Sequence, residues 1–264
     1  MIVAGFILLA VGAADLVRQF APRRWVGYLT TAVILLLLGS VSDALLPMLS
    51  GLVVGALWVW CMPSERPAPL GFWPAALLGV LSVGAVVALG ARADTGLIGA
   101  VWSIRSPMGE VPFDLAMLTV GAGVFLLESA NLVVRAALDG EHTWRPAELT
   151  RIPAPATAES EAEPGPIATI ETSDEAEPVR DPRAGFKGGR LIGPLERILV
   201  MILTLAAAYP ILAAMLAAKG IVRFPEISRD GETGARAEYF LVGSLVSWVI
   251  GLGAAFLVWW AAHS

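Results

Sequence analysis

Cysteine occurs once in this chain, as Cys61, and a single thiol excludes an intramolecular disulfide and any metal centre built from cysteines. Buried free cysteine behaves as a small hydrophobe, so Cys61 reads as apolar filler near a helix end. Histidine is nearly as scarce, and neither His142 nor His263 has a second histidine at ligand spacing; no metal site and no cofactor are expected. Asparagine and glutamine appear once each, as Asn131 and Gln19, and the basic residues are nearly all arginine, a bias resembling that of a GC-rich bacterial genome. There is no basic stripe interleaved with aromatics, so nucleic-acid binding has no support. A phosphate loop, a glycine-rich dinucleotide turn, a zinc-binding histidine pair and a nucleophile elbow are all missing. An enzyme is therefore disfavoured. Asp15, Asp43, Glu128 and Glu196 are the only candidates for a catalytic acid hidden in a membrane.

What the chain has in abundance is hydrocarbon. With 56% hydrophobic and 16% charged residues over 264 positions, and a mean hydropathy of +0.72, it is more apolar than a soluble domain of this size can hide. The net charge of -5 is misleading, because the acids crowd between Asp139 and Asp181 and leave the remainder mildly basic. The expected fold is an all-α, polytopic transmembrane helical bundle of about seven spans with one disordered acidic cytoplasmic linker. Residues 1–138 form an N-terminal membrane region of about five helices, 139–189 the linker, and 190–264 a C-terminal two-helix membrane module.

The first apolar run, Met1 to Val17, is followed by Arg18, Arg23 and Arg24, whereas a signal peptide carries its basic residues in front. It reads as an uncleaved span with its N-terminus outside, since arginine-rich short loops stay in the cytoplasm. Trp25 to Leu46 is a second span and Met48 to Cys61 a short third, the two forming a tight antiparallel pair. Gly51 and Gly55 sit four apart, where bare backbone lets helices approach closely. Proline closes the third run in the Pro63 to Gly71 loop, read as an inner one. Phe72 to Leu89 is the fourth span, with Phe72 and Trp73 as interfacial aromatics. Arg92 to Pro112 is an outer loop in which Gly96 and Gly99 argue against a stable helix, and Ile98, Val101 and Trp102 suit the interface.

The fifth span, Phe113 to Val134, carries Glu128, Asn131 and Arg135 at spacings of three and four, on one helical stripe. Two readings stand for Glu128: it snorkels or pairs with Arg135 near the interface, or it faces a bundle interior as part of a polar path, because a charge in hydrocarbon is costly. From Asp139 to Gly189 the composition turns to Pro, Ala, Glu, Thr and Ser, too polar to offset the entropy of ordering. That segment reads as a connector or as a docking tail for a basic partner.

Arg190 to Ser247 holds the densest charge set against hydrocarbon: Glu196, Arg197, Lys219, Arg223, Glu226, Arg236 and Glu238. Pro194 and Glu196 suit a helix start, and Lys219 with Gly220 a helix end. One tilted span from Pro194 to Lys219, kinked at Pro210, is expected. The last span, Ala237 to Ala261, has Gly243, Ser247 and Gly251 as a small-residue seam and Trp259 and Trp260 as anchors. Seven spans put the Lys219 to Arg236 loop outside, against the positive-inside rule; a re-entrant break at Pro210 would reverse it. The phrases IGPLER (Ile192 to Arg197), AAKGIVRF (Ala217 to Phe224) and AEYFLVGSLVS (Ala237 to Ser247) together resemble a C-terminal module of uncharacterised bacterial integral membrane proteins, of the domain-of-unknown-function type. Gly220, Val242 and Ser244 depart mildly from its pattern. The resemblance implies no reaction.

Two functions are open. One is a non-enzymatic assembly or scaffold component of a bacterial cytoplasmic membrane, held in the lipid bilayer and packed against a membrane-protein partner or a second copy. The other is a transporter or channel-like protein with a polar path around Glu196, Arg197 and Glu238. The plainer reading of those charges is that they cap helices and bind lipid headgroups.

Overall fold

The computed structural model describes residues 1–62, 70–90, 92, 95–106, 109–140, 189–228 and 235–264, with backbone alone at 106, 139–140, 189–190, 223–228 and 235–239. The acidic linker and the loops at 63–69 and 229–234 lie outside the described residues, as do the side chains of Arg223, Glu226, Arg236 and Glu238. What is described is all-α apart from one two-residue hairpin. In chain order the helices are α1 (Ile2–Phe20), α2 (Arg24–Val41), α3 (Leu45–Cys61), α4 (Trp73–Leu89), the single turn α5 (Gly96–Gly99), α6 (Phe113–Leu127), α7 (Ser129–Gly140), α8 (Gly189–Leu205), α9 (Tyr209–Ser228) and α10 (Ala235–His263). Strands β1 (Arg105–Ser106) and β2 (Gly109–Glu110) pair antiparallel in the loop before α6.

Among the described residues, α1, α2 and Phe240–His263 of α10 are long and apolar enough to cross a membrane, and Phe113–Leu127 with Ser129–Leu138 makes a fourth if a 49° bend is allowed within one span. In hydrocarbon a backbone must satisfy itself, which is why runs this apolar fold as helices. The third run starts earlier than its apolar stretch suggests, at Leu45, because Pro47 falls in the first turn, where its missing N–H costs nothing.

Helix α1 is the hub: 61% of its span is buried, against 11% for α2. Glycine explains why neighbours come so close. A Cβ on Gly12 would stand 2.8 Å from the Phe125 nitrogen, one on Gly5 2.9 Å from that of Leu118, and one on Gly51 2.8 Å from the Phe6 carbonyl oxygen. These pairings run in the same order along each helix, so α1, α3 and α6 are parallel. Helix α2 returns antiparallel to α3, with Gly39 against Met48. Gly51 and Gly55 therefore serve the α1–α3 contact rather than the α2–α3 pair. Leu118, Ala122, Leu126 and Val11 share one core cluster with Leu257 and Val258, joining the N-terminal bundle to α10.

The expected single helix from Pro194 to Lys219 does not form. Helix α8 ends in a turn at Ala206–Ala208, where Ala207 takes φ 52° and the Ala208 and Ala207 N–H groups bond back to the Leu203 and Thr204 carbonyls. This is the Schellman arrangement, with alanine in the left-handed position that glycine usually fills. Asp43 ends α2 in the same way, with φ 50° and Ala44 N–H on the Gly39 carbonyl. Pro210 is thus not a mid-helix kink; it lies in the first turn of α9, which proline tolerates.

Candidate functional site

The bend between α6 and α7 falls at Glu128, and it builds the site. A helix that stops leaves its last four carbonyls without intrahelical partners. Two of them are taken by side chains: Leu126 O accepts from Arg197 Nε at 3.1 Å, and Leu127 O from Asn131 Nδ2 at 3.3 Å. Asn131 also donates to Glu128 Oε2 at 3.2 Å, while its own Oδ1 accepts from Arg197 Nη2. Arg197 Nη1 reaches Ser247 Oγ of α10 at 3.3 Å. Arg197 is only 2% exposed. Its planar fork meets three acceptors at once, a geometry lysine cannot reproduce.

Residue 196 points elsewhere. Glu196 Oε1 and Oε2 accept from Lys219 Nζ at 2.7 and 2.6 Å, and Trp248 Nε1 donates to Oε1 at 2.7 Å. The Lys219 ammonium also lies 5.5 Å from the Trp248 ring and 5.9 Å from that of Phe240. Adjacent residues on α8 thus serve two faces: Arg197 ties α8 to α6, α7 and α10, and Glu196 ties it to α9 and α10.

On the opposite side of the bend, Ser129 Oγ donates to Asp15 Oδ2 at 2.6 Å. Trp58 Nε1 donates to the same oxygen at 2.8 Å, and Arg18 Nη1 holds Oδ1 at 3.0 Å and also the Met62 carbonyl at 2.8 Å. Asp15 is 1% exposed. The two clusters adjoin through residues 126–131: the Asp15 cluster ties α1 and α3 to α7, and the Arg197 cluster ties that bundle to α8 and α10, together forming a polar seam. Among the described residues, every buried side-chain nitrogen and oxygen has a hydrogen-bond partner, and no three His, Cys, Asp or Glu side chains converge as a metal site would need.

Of the polar candidates, the structure brings Glu128, Asn131 and Arg197 into one cluster and Glu196 and Lys219 into another, while Arg135 is exposed on α7. Within the small-residue seam of α10, Ser247 bonds Arg197. A Cβ on Gly251 would press on Val200 at 3.2 Å, and one on Gly243 would have 3.7 Å to Leu138. Sequence reasoning names Asp15 only among four candidate catalytic acids and misses Ser129, Trp58 and Trp248. Their partners are distant in the chain, and only the apolar setting of Asp15 marked it. It also missed the clamp at the other end of the bundle, where Arg92 Nε and Nη2 grip Asp114 at 3.1 and 2.8 Å and Nη1 meets the Ser42 and Asp43 carbonyls at 3.1 and 3.0 Å.

Fold and seam define an all-helical protein of the membrane-associated class. Beyond that class the comparisons give nothing: no family model, no curated protein and no solved structure matches the chain.

Proposed function

We propose that this is a multi-pass protein of a bacterial cytoplasmic membrane that acts as an assembly or scaffold component, with the seam as its internal lock. One observation carries the reading: among the described residues, Asp15, Glu196 and Arg197 are engaged by the protein's own donors and acceptors, and no buried side-chain nitrogen or oxygen lacks a partner. A substrate path keeps such groups facing a cavity; a lock consumes them. Partners are the lipid bilayer and a second membrane protein or a second copy, and we read the C-terminal unit as the module that its three phrases resemble.

The α8–α9 turn supports a topology. Were residues 194–219 one helix, Glu196 and Lys219 would stand about 34 Å apart at 1.5 Å per residue; they are ion-paired at 2.6 Å. With α9 folded back along α8, the loop after α9 returns to the side of the arginines at 18, 23 and 24. All Lys and Arg residues in the connections then fall on that one side except Arg92 and Arg105. This supports a cytoplasmic face there, with the N-terminus outside, and removes the conflict with the positive-inside rule. Eight crossings rather than seven result, α3, α4 and α8 being short at 17 residues each, and the C-terminus joins the N-terminus outside.

Purification in mild detergent followed by native mass determination tests the role. Stoichiometric recovery of another membrane protein, or a defined oligomer, supports it; a lone monomer counts against it. The transport reading draws on the helix breaks at Glu128 and Ala207, since broken spans with nearby charges line paths in transporters. Solute or ion flux in liposomes that disappears in Glu196→Gln and Glu238→Gln would favour it, and flux unchanged by both would sink it.

A further inference from the structure

The connection from α4 to α6 folds across the end of the bundle rather than away from it. Gly96, at φ 63°, lets the chain press on the backbone of Val41 to Asp43, where a Cβ would stand 2.9 Å from the Val41 carbonyl oxygen. The turn that follows turns its apolar side chains outward: Leu97 is 75% exposed and Val101 83%. Beneath them lies an open cavity of about 430 Å³ lined by Val41, Leu97, Ile98, Val101 and Trp102. Val41 ends α2, so this slot is continuous with the outward face of a span that is hardly covered by protein.

Trp102 is its fixed wall. The indole Nε1 donates to the Val111 carbonyl at 2.8 Å, and the ring stands edge-on to Phe113 with centroids 5.2 Å apart. Trp102 also lines a second cavity of about 290 Å³, whose walls mix Ile104, Val111 and Phe113 with Thr95, Ser103 and Glu110. Arg105 forms an ion pair with Glu110 across the β1–β2 hairpin at 3.6 Å, each side chain 82% exposed, so both charges stand at the surface where a head group of matching charges could meet them.

An apolar slot open to lipid, a shared aromatic wall, and a second cavity rimmed by Glu110 with its ion-pair partner Arg105 beside it match the parts of a phospholipid. We propose that this end of the bundle binds one zwitterionic, amine-bearing phospholipid. An acyl chain lies along α2 into the slot, the phosphate meets Arg105, and the amine meets Glu110. A purely anionic head would leave the Glu110 carboxylate opposed to like charge, which sets the selectivity. The proposal rests on the membrane-spanning reading and not on the scaffold role.

Full-length protein is delipidated in detergent and titrated with phosphatidylethanolamine or phosphatidylglycerol of the same acyl chains, and complexes are counted by native mass spectrometry. The wild type should hold one phosphatidylethanolamine with at least tenfold preference. Glu110→Gln should abolish the preference, and Val101→Asp should weaken both lipids at least tenfold; both positions are exposed, and circular dichroism confirms that the helices persist. Equal binding of the two lipids by the wild type, or wild-type binding by Val101→Asp, overturns the site. Partition of the same preparation into liposomes separates the causes: a chain that inserts without a one-to-one complex refutes the site alone, and one that does not insert refutes the membrane reading as well.

Discussion

Lys219 Nζ lies 2.6 Å from Glu196 Oε2, although the two residues are 23 positions apart and each sits on its own helix. They are nearly symmetric about Ala207, the residue at which the chain reverses, so the ion pair staples α9 against α8. Lysine is 25% and glutamate 11% exposed at the side chain, which leaves the pair partly screened. Glu196→Gln and Lys219→Met should each destabilise by about 1–2 kcal/mol, less than a fully buried pair would. Thermal unfolding in detergent checks this, and the double variant should lose less than the sum of the singles. Strict additivity would mean that the staple contributes nothing.

Arg197 holds more than a charge partner. Arg197→Met should destabilise by about 3–5 kcal/mol, because it removes the donor serving Leu126 O and leaves Asn131 and Ser247 short of a partner. Arg197→Lys should recover little of that, since an ammonium lacks the planar fork. Full rescue by lysine, read as an unchanged melting temperature, would reduce Arg197 to a point charge.

Sidedness is measurable with single cysteines in a Cys61→Ser background. Ala21→Cys and Arg229→Cys should react with a membrane-impermeant maleimide from one side, and Arg105→Cys from the other. If residues 194–219 crossed once as a continuous helix, Arg229→Cys would instead label together with Arg105→Cys.

The glycines should not be equivalent. Gly51→Ala would drive a methyl against the Phe6 carbonyl and Gly12→Ala against the Phe125 nitrogen, backbone contacts that cannot move aside. Each should cost about 1–3 kcal/mol. Gly243→Ala has ordinary contact distance to Leu138 and should change stability by less than about 0.5 kcal/mol. Denaturation curves on the three variants test the order.

The helices of the N-terminal bundle are legible in composition, because runs this apolar fold as helices, and Arg18 and Pro63 mark where the first and third stop. The charges of the C-terminal unit could be recognised as unusual but not paired. Pairing Glu196 with Lys219 requires knowing that alanine at 207 adopts a left-handed turn, a conformation no alanine advertises in sequence. Pro210 drew attention to the right neighbourhood for the wrong reason, since it starts α9 three residues beyond the turn. The Asp15 cluster was hidden for a different cause: Trp58 and Ser129 lie 43 and 114 positions away, and only the parallel packing of α1, α3 and α6 brings them to one level.

The seam has a consequence for the chain as a thread. Residues 1–140 and 189–264 meet where Arg197 bonds Leu126 O and Asn131 and where Leu138 lies beside Gly243, contacts that make no use of the peptide stretch at 141–188. Closing a loop costs only about 0.6 kcal/mol more for each doubling of its length. The covalent link can accordingly be lengthened at little cost or cut. Two halves produced as separate chains should find each other and rebuild the seam, making this molecule in effect two partners that share one chain.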